Sequence, residues 1–486
     1  MWDFFKRLPF EIRCEILLHV DITSDMLPLL QVSPPMLAAY HRTRRHFFRQ
    51  TLDDQLLQDA LAIIHFPPPG ADEKTTSSHL HKWATATFPN PFKNKNRRRN
   101  LNTIVSLDQL YHRLATFIED YITKATHEYP PRAYMCLPDL SSGCSHLLFR
   151  GDPVEIKVHT LDKLSRSEHN RLFQAFLRYE IFCKFLTPCP EYNVPKELDR
   201  LVTEAYSAFT ECEREAVRAV YGYVEGLYGA AAAQCSKSWL PDIPRITSDG
   251  TDDDDGLLFP DNVWYRPNAY WQDLENILGS PLPFLTYNLP DKGFDTVAKL
   301  LHLSRDNVDR PHALIWWLTR VNYRHQQVWW ANSWELFKGR SDWENPGPRS
   351  LDQASGLYRQ LRDNVFDIQK APWAPFMVQN TSIQRKVYQQ RGWMFFDDIR
   401  HHHHQNIALH FPSQDQIQDK GNNELWSTLY CRCSDRRREK QGWNIVSQWT
   451  ANDYGWPGDK EDQEEELEDR NLPKNGGKYL PPFYSQ

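Results

Sequence analysis

The sequence has no CxxC pair. Its nine cysteines are scattered, with Cys431 and Cys433 separated by one residue, which argues against a disulfide framework and a zinc knuckle and fits a reducing intracellular compartment. No apolar run approaches the roughly 18 residues that a membrane-crossing helix needs. The opening stretch MWDFFKRLPFEIRCEILLHVD is interrupted by Asp3, Lys6, Arg7, Glu11, Arg13 and Glu15, so a secretory signal with an apolar centre is not expected there. An excess of one charge is also lacking. The 57 basic and 63 acidic residues leave −6, too balanced for a chain whose whole surface grips polyanions or membranes. Segment 459–470, DKEDQEEELEDR, holds eight acids against two bases and accounts for all of that excess.

Catalytic signatures are missing too. There is no GxxxxGK[ST], GxGxxG, HExxH or GxSxG, and hence no phosphate cradle, dinucleotide turn, zinc-protease helix or nucleophile elbow. No cofactor and no bond chemistry are expected. At 486 residues, 40% of them hydrophobic and 25% charged, the chain has a globular composition. It is long enough for roughly two to four domains that fold without metal or disulfide help.

What is present is helical periodicity. Leu8, Ile12, Ile16, Leu17 and Val20 recur at helical spacing with Pro9 near the first turn. TSDMLPLLQV (23–32) offers Ser24 or Asp25 as a cap, and SPPMLAAY starts a longer helix that is expected to run on to residue 66. Proline, small polar and basic residues dominate 66–100, which reads as a linker or long loop. Periodicity returns at 104–128 and peaks at 164–186. There Ser165 and Glu168 form a capping box, and apolar residues from Leu172 to Leu186 cover more than half the circumference, as in the middle of a bundle. One or two more helices follow through residue 234, and 244–260 is a second polar break. In 312–337, Leu314, Trp317, Val321, His325 and Val328 share one face and Trp330 and Trp334 another, the pattern of buried core. Strand signals are sparse, with VEIKVHT (154–160) an isolated candidate.

The expected fold is therefore mainly α, with a three-helix module at 1–65, a linker at 66–100, an irregular helical domain at 101–450 and an acidic, disordered tail at 451–486. Three polar clusters remain. The run His401–His404 fans around a helix, so only His401 and His404 face one ion, short of a structural zinc site; a solvated histidine face is the expectation. KNKNRRR presents Lys93, Lys95, Arg97, Arg98 and Arg99 without an acid, and is read first as a solvated basic loop, with nuclear import or phosphate binding as alternatives. The DDDD run at 252–255 lacks the alternating ligands and central glycine of a calcium loop.

LPFEIRCEILLHVDITSDMLPLLQVSPPMLAAY (8–40) resembles an F-box. Leu8, Pro9, Glu11, Ile12, Ile16, Leu17, Leu27, Leu30, Val32 and Ser33 fall on that pattern, and the two prolines after Ser33 depart from it. NRLFQAFLRYEIFCKF, ECEREAVRAVYGYVE and QQRGWMFFDD are similar to stretches in the helical C-terminal regions of filamentous-fungal F-box proteins. The resemblance implies a non-catalytic, cytoplasmic or nuclear substrate receptor of an SCF (Skp, cullin, F-box) ubiquitin ligase. It would dock on a Skp-type adaptor, and through it the cullin scaffold, by Leu8, Pro9, Ile12, Ile16, Leu17, Leu27 and Leu30, and would recruit an unknown protein target with the helical remainder. The alternative is a nuclear nucleic-acid-associated protein that uses the basic loop, with the N-terminal helices as ordinary core.

Overall fold

The computed structural model describes residues 3–19, 29–30, 32–68, 71–93, 101–140, 146–186, 196–235, 240, 265, 289–306, 317, 351, 354–366, 377–402 and 406–413. The fold is mainly helical, as expected. A 3-10 turn at Phe4–Arg7 leads into α1 (Phe10–His19). Pro9, which has no N–H to lose, stands just outside the helix and its carbonyl accepts from Arg13 N at 3.1 Å. Ser33 caps α2 (Pro34–Thr51), with its hydroxyl accepting from Met36 N at 3.4 Å. The two prolines after Ser33 thus occupy the first helical turn, where a missing N–H costs nothing.

The helix expected to continue to residue 66 breaks instead. Asp53 accepts from Leu56 N at 2.8 Å and starts α3 (Asp54–Ile64) as a new helix. The segment expected to be a linker also folds in part: α4 (Glu73–Ala84) is capped by Asp72 and buries Thr76, His79, Leu80 and Trp83. Those positions follow helical spacing, and Trp83 Nε1 donates to the buried Asp59 of α3 at 2.7 Å. Polar composition concealed one short amphipathic face.

Helix α5 (Leu101–Thr126) is followed by the short α6 (Pro130–Tyr134) and by the only sheet among the described residues. That sheet is an antiparallel set of β1 (Leu137–Pro138), β2 (Leu147–Phe149) and β3 (Asp152–Pro153) in the order β1-β2-β3. The candidate strand 154–160 is coil beyond it, held to β2 only through Val154 N, which donates to the Leu147 carbonyl at 2.9 Å. Helix α7 (Arg166–Leu186) begins with the expected capping box: Ser165 N donates to Glu168 at 2.9 Å and Glu168 N to the Ser165 hydroxyl at 3.3 Å. It lies centrally, packed on α3, α5, α9 (Glu211–Cys235) and α10 (Gly293–Asp306). Phe176 of α7 stacks on Phe294 at 5.4 Å between centroids, and Phe294 stacks on Phe117 of α5 at 4.7 Å.

The remaining helices are α8 (Lys196–Ser207), α11 (Gly356–Phe366), α12 (Met377–Gln390) and α13 (Ile407–His410). The end of α12 is pinned through its last carbonyls, with Tyr121 Oη donating to Gln389 O at 2.7 Å and Tyr134 Oη to Gln390 O at 2.9 Å. The turn needs Gly392, whose φ of 72° and closeness to the Phe396 ring leave no room for a Cβ. One apolar core runs from Leu17 to Phe411. Trp317 packs against it; the rest of the aromatic segment 312–337, the acidic tail, Ser24, Asp25 and the 252–255 run lie outside the described residues.

Candidate docking surface

The N-terminal helices are tied together by two polar contacts. Asp3 accepts from Phe5 N at 3.0 Å through one carboxylate oxygen, and through the other from the Ser33 hydroxyl at 2.9 Å. A single side chain thereby caps the first turn and fastens it to the start of α2. Arg13 donates to the Pro35 carbonyl at 3.2 Å, and the Cys14 thiol lies 3.2 Å from the Thr43 hydroxyl, which holds α1 along α2.

The elements these bonds join carry large apolar side chains that face water. Phe4 is 70% exposed, Val32 70% and Ile12 47%. Phe4 and Val32 are the immediate neighbours of Asp3 and Ser33, and Ile12 adjoins Arg13. Among the described residues the fourth large exposed apolar side chain is Leu409, at 58%. Large apolar groups that face water in a cluster mark surfaces that partners cover.

The residues expected at the adaptor face divide. Pro9 and Ile12 are exposed, and Leu8 and Ile16 are half-buried, with Ile16 packed on the core. Leu17 and Leu30 point inward, at 3% and 1% exposure, because α1 and the chain before Ser33 must bury something against α2 to be held at all. Leu27 lies outside the described residues. The exposed face instead includes Phe4 and Val32. Phe4 sits among charged residues at the start of the chain, where periodicity is too short to assign a face; Val32 lies on the F-box-like pattern, yet spacing does not tell an outward position from an inward one. Of the basic run, Lys93 is exposed; Lys95, Arg97, Arg98 and Arg99 lie outside the described residues.

The N-terminal helices do not stand apart. Asp108 of α5 accepts from Tyr40 Oη at 3.0 Å and pairs with Arg44 at 3.0 Å. Burial lifts the Asp108 carboxyl to about 6, against the pull of Arg44 and Tyr40. Phe47 meets Tyr111 edge-on at 5.1 Å, and Tyr111 stacks on Phe173 of α7 at 4.8 Å. The N-terminal helices and their exposed apolar side chains are therefore mounted on the main core.

Several ionisable clusters elsewhere among the described residues are interior and paired. Glu168 receives Asp397 N at 3.0 Å and the Arg400 guanidinium, and Arg171 bridges the Phe395 carbonyl and Asp397. Lys124 and Asp120 form a buried pair at 2.7 Å, joined by Tyr223 Oη at 2.6 Å. A shallow cavity lined by Arg171, Arg178, Cys212 and Glu213 sets its two guanidiniums against carboxylates already paired with them, while burial lifts the Cys212 thiol. Nothing there offers an activated nucleophile or an unpaired base.

The histidine run is not a solvated face. His401 lies against Glu168 at 3.6 Å, and His402, buried beside Phe396 and His410, shares a hydrogen bond with the Arg391 carbonyl at 3.3 Å. The tight turn at Gly392 folds this strip back onto α7, so its rings enter the core. His404, Cys431 and Cys433 lie outside the described residues, and among the described residues no group of three or more His, Cys, Asp or Glu side chains is placed to hold a metal ion. No helix among the described residues is long and apolar enough to cross a membrane. Comparison of the chain with models of known families, with curated proteins and with solved structures finds no match.

Proposed function

We propose that this chain is a non-catalytic substrate receptor that docks through its N-terminal helices on a Skp-type adaptor of an SCF ubiquitin ligase and recruits a target protein with the helical remainder. The observation that supports the reading is that three of the four large exposed apolar side chains among the described residues, Phe4, Ile12 and Val32, fall in the first 32 residues, in and beside the stretch that resembles an F-box. Pro9, with the half-buried Leu8 and Ile16, completes the face. Burying an exposed side chain of this size contributes about 1.5 to 3 kcal/mol before association costs are subtracted. Three such side chains contribute about 4.5 to 9 kcal/mol, comparable with the cost of association, so docking also draws on Pro9 and the half-buried Leu8 and Ile16 around them.

In this role the chain holds a target beside the ligase's ubiquitin-carrying partner and raises its effective concentration, so it needs no reactive side chain of its own. The test is co-expression of the full chain with a Skp-type adaptor, followed by size-exclusion chromatography at low and at high salt. Co-elution at both salts is expected, because apolar docking is not screened. A chain that elutes alone at both salts overturns the reading.

A further inference from the structure

His402 is set into the core with one ring nitrogen left over. It is buried against the Phe396 and Phe411 rings, 5.8 and 5.5 Å away, and its Nε2 lies 3.3 Å from the Arg391 carbonyl. A carbonyl only accepts, so Nε2 carries the ring proton and Nδ1 is the nitrogen that would take a second one. Nδ1 is buried and meets no hydrogen-bonding partner. A proton placed there is a buried charge without an acceptor.

The neighbours of His402 make that charge costlier. The His410 ring stands 4.8 Å away, and the buried Arg391 adds its charge from the end of α12. Arg391 donates to the His127 and Glu128 carbonyls and feels the Glu128 carboxylate from the turn after α5. His401, the third cationic neighbour, faces Glu168 at 3.6 Å, a carboxylate that also takes the Arg400 guanidinium, and the His159 ring lies 6.3 Å beyond it. Among the described residues no carboxylate pairs with His402 itself. Burial, then Arg391, His410 and His401, hold its ring well below the ordinary 6.5, so the fold keeps it neutral. Its contribution to stability is complete above 6.5 and is lost as the pH falls beneath that value.

Two short segments depend on this ring. Residues 399–402 return to the end of α12 through His402, and residues 406–412 are fastened there by Tyr388 Oη, which donates to the Pro412 carbonyl at 2.9 Å, and by Gln384 Nε2 at 3.2 Å. His402 touches both through Arg391 on one side and His410 and Phe411 on the other. Segments held by so few bonds open separately from the helices beneath them.

We propose that His402 is an acid-sensitive latch, whose protonation frees residues 399–402 and 406–412 from the end of α12 while the core of α5, α7 and α9 stays folded. The test is hydrogen exchange of the full chain, read by mass spectrometry from about pH 7.5 to about pH 5 and corrected for the intrinsic rate. This range stays above 4.5, below which Glu168 is lost. Protection of 399–402 and 406–412 is expected to fall by up to about tenfold per pH unit below 6.5, with protection of 110–122 and 172–186 unchanged. His127 and His159, each held at about 4 by burial, respond over the same range, so His402→Gln is expected to remove most of the dependence rather than all of it. Should His402→Gln be open at every pH, histidine ring NMR of the wild type decides: protonation of His402 together with the loss of protection supports the latch, and protonation near 6.5 without that loss overturns it. Protection that holds to pH 5, that falls equally in α5 and α7, or that falls as steeply in a closed His402→Gln chain also overturns the proposal.

Discussion

The carboxylate of Asp3 accepts a hydrogen bond from the Ser33 hydroxyl at 2.9 Å across thirty residues of sequence. Ser33 is also the cap of α2, so one bond fixes the first turn of the protein to the start of its second helix and places Phe4 near Val32. Ser33→Ala is expected to cost about 1 to 2 kcal/mol from the lost cap and the lost bond, and Asp3→Ala about 1 kcal/mol. A double-mutant cycle read by urea denaturation is expected to show a coupling of about 0.5 to 1.5 kcal/mol between them. Strict additivity contradicts the contact.

Leu17 and Ile12 lie on one short helix and do different work. Leu17→Ala is expected to destabilise the chain by about 2 to 4 kcal/mol, because Leu17 fills the core. Ile12→Ala is expected to stay within about 0.5 kcal/mol of the wild type, because Ile12 faces water. Thermal melts of the two variants check the assignment, and equal losses refute it.

Glu168 is the capping-box acid of α7 and also receives Asp397 N, Arg400 and His401. Burial alone raises its carboxyl, but the His401 ring 3.6 Å away, the hydrogen bonds from Asp397 N and Ser165 N and the charge of Arg400 outweigh burial and bring it from 4.5 to about 2. The folded state therefore favours the ionised form. Its contribution is fully present above 4.5 and is lost as the pH falls towards 2. Glu168→Gln is expected to cost about 2 kcal/mol at neutral pH, with a gap to the wild type that closes on acidification through that window. A constant gap across the window contradicts the account.

The buried pair of Lys124 and Asp120 is shared with Tyr223. Asp120→Ala strands a cation inside the core and is expected to cost about 3 to 5 kcal/mol. Asp120→Leu with Lys124→Met removes both charges at similar volume, and is expected to restore most of that loss. Chemical denaturation of the single and double variants decides; a double variant as unstable as the single would show that the pair is worth more than its own desolvation.

Helix content was readable wherever apolar spacing ran for several turns. The region of α5, the centre of α7 and the Ser165–Glu168 capping box emerged directly, because cap and periodicity there agree. The break before α3 was missed because Asp53 reads as one more polar position in a continuous pattern until its carboxylate is seen on Leu56 N. Helix α4 was missed because Thr76, His79, Leu80 and Trp83 form too short a face among polar neighbours. In the N-terminal helices the pattern did not tell which side chains face outward: Leu17 and Leu30 turned in, Ile12 out. Spacing fixes which residues share a helix face, and only the packing of the other elements decides which face meets water. The burial of His401 and His402 likewise depends on the turn at Gly392, which no local pattern announced.

The most direct test is the affinity of the full chain for a Skp-type adaptor, measured by calorimetry for the wild type, for Ile12→Asp with Val32→Asp, and for Leu409→Asp as an exposed apolar control far along the chain. The account predicts that the double variant loses at least about a hundredfold in affinity while keeping its helical circular dichroism. Leu409→Asp is predicted to bind as the wild type does. A folded double variant with undiminished affinity, or an equal loss in Leu409→Asp, would contradict the N-terminal docking face.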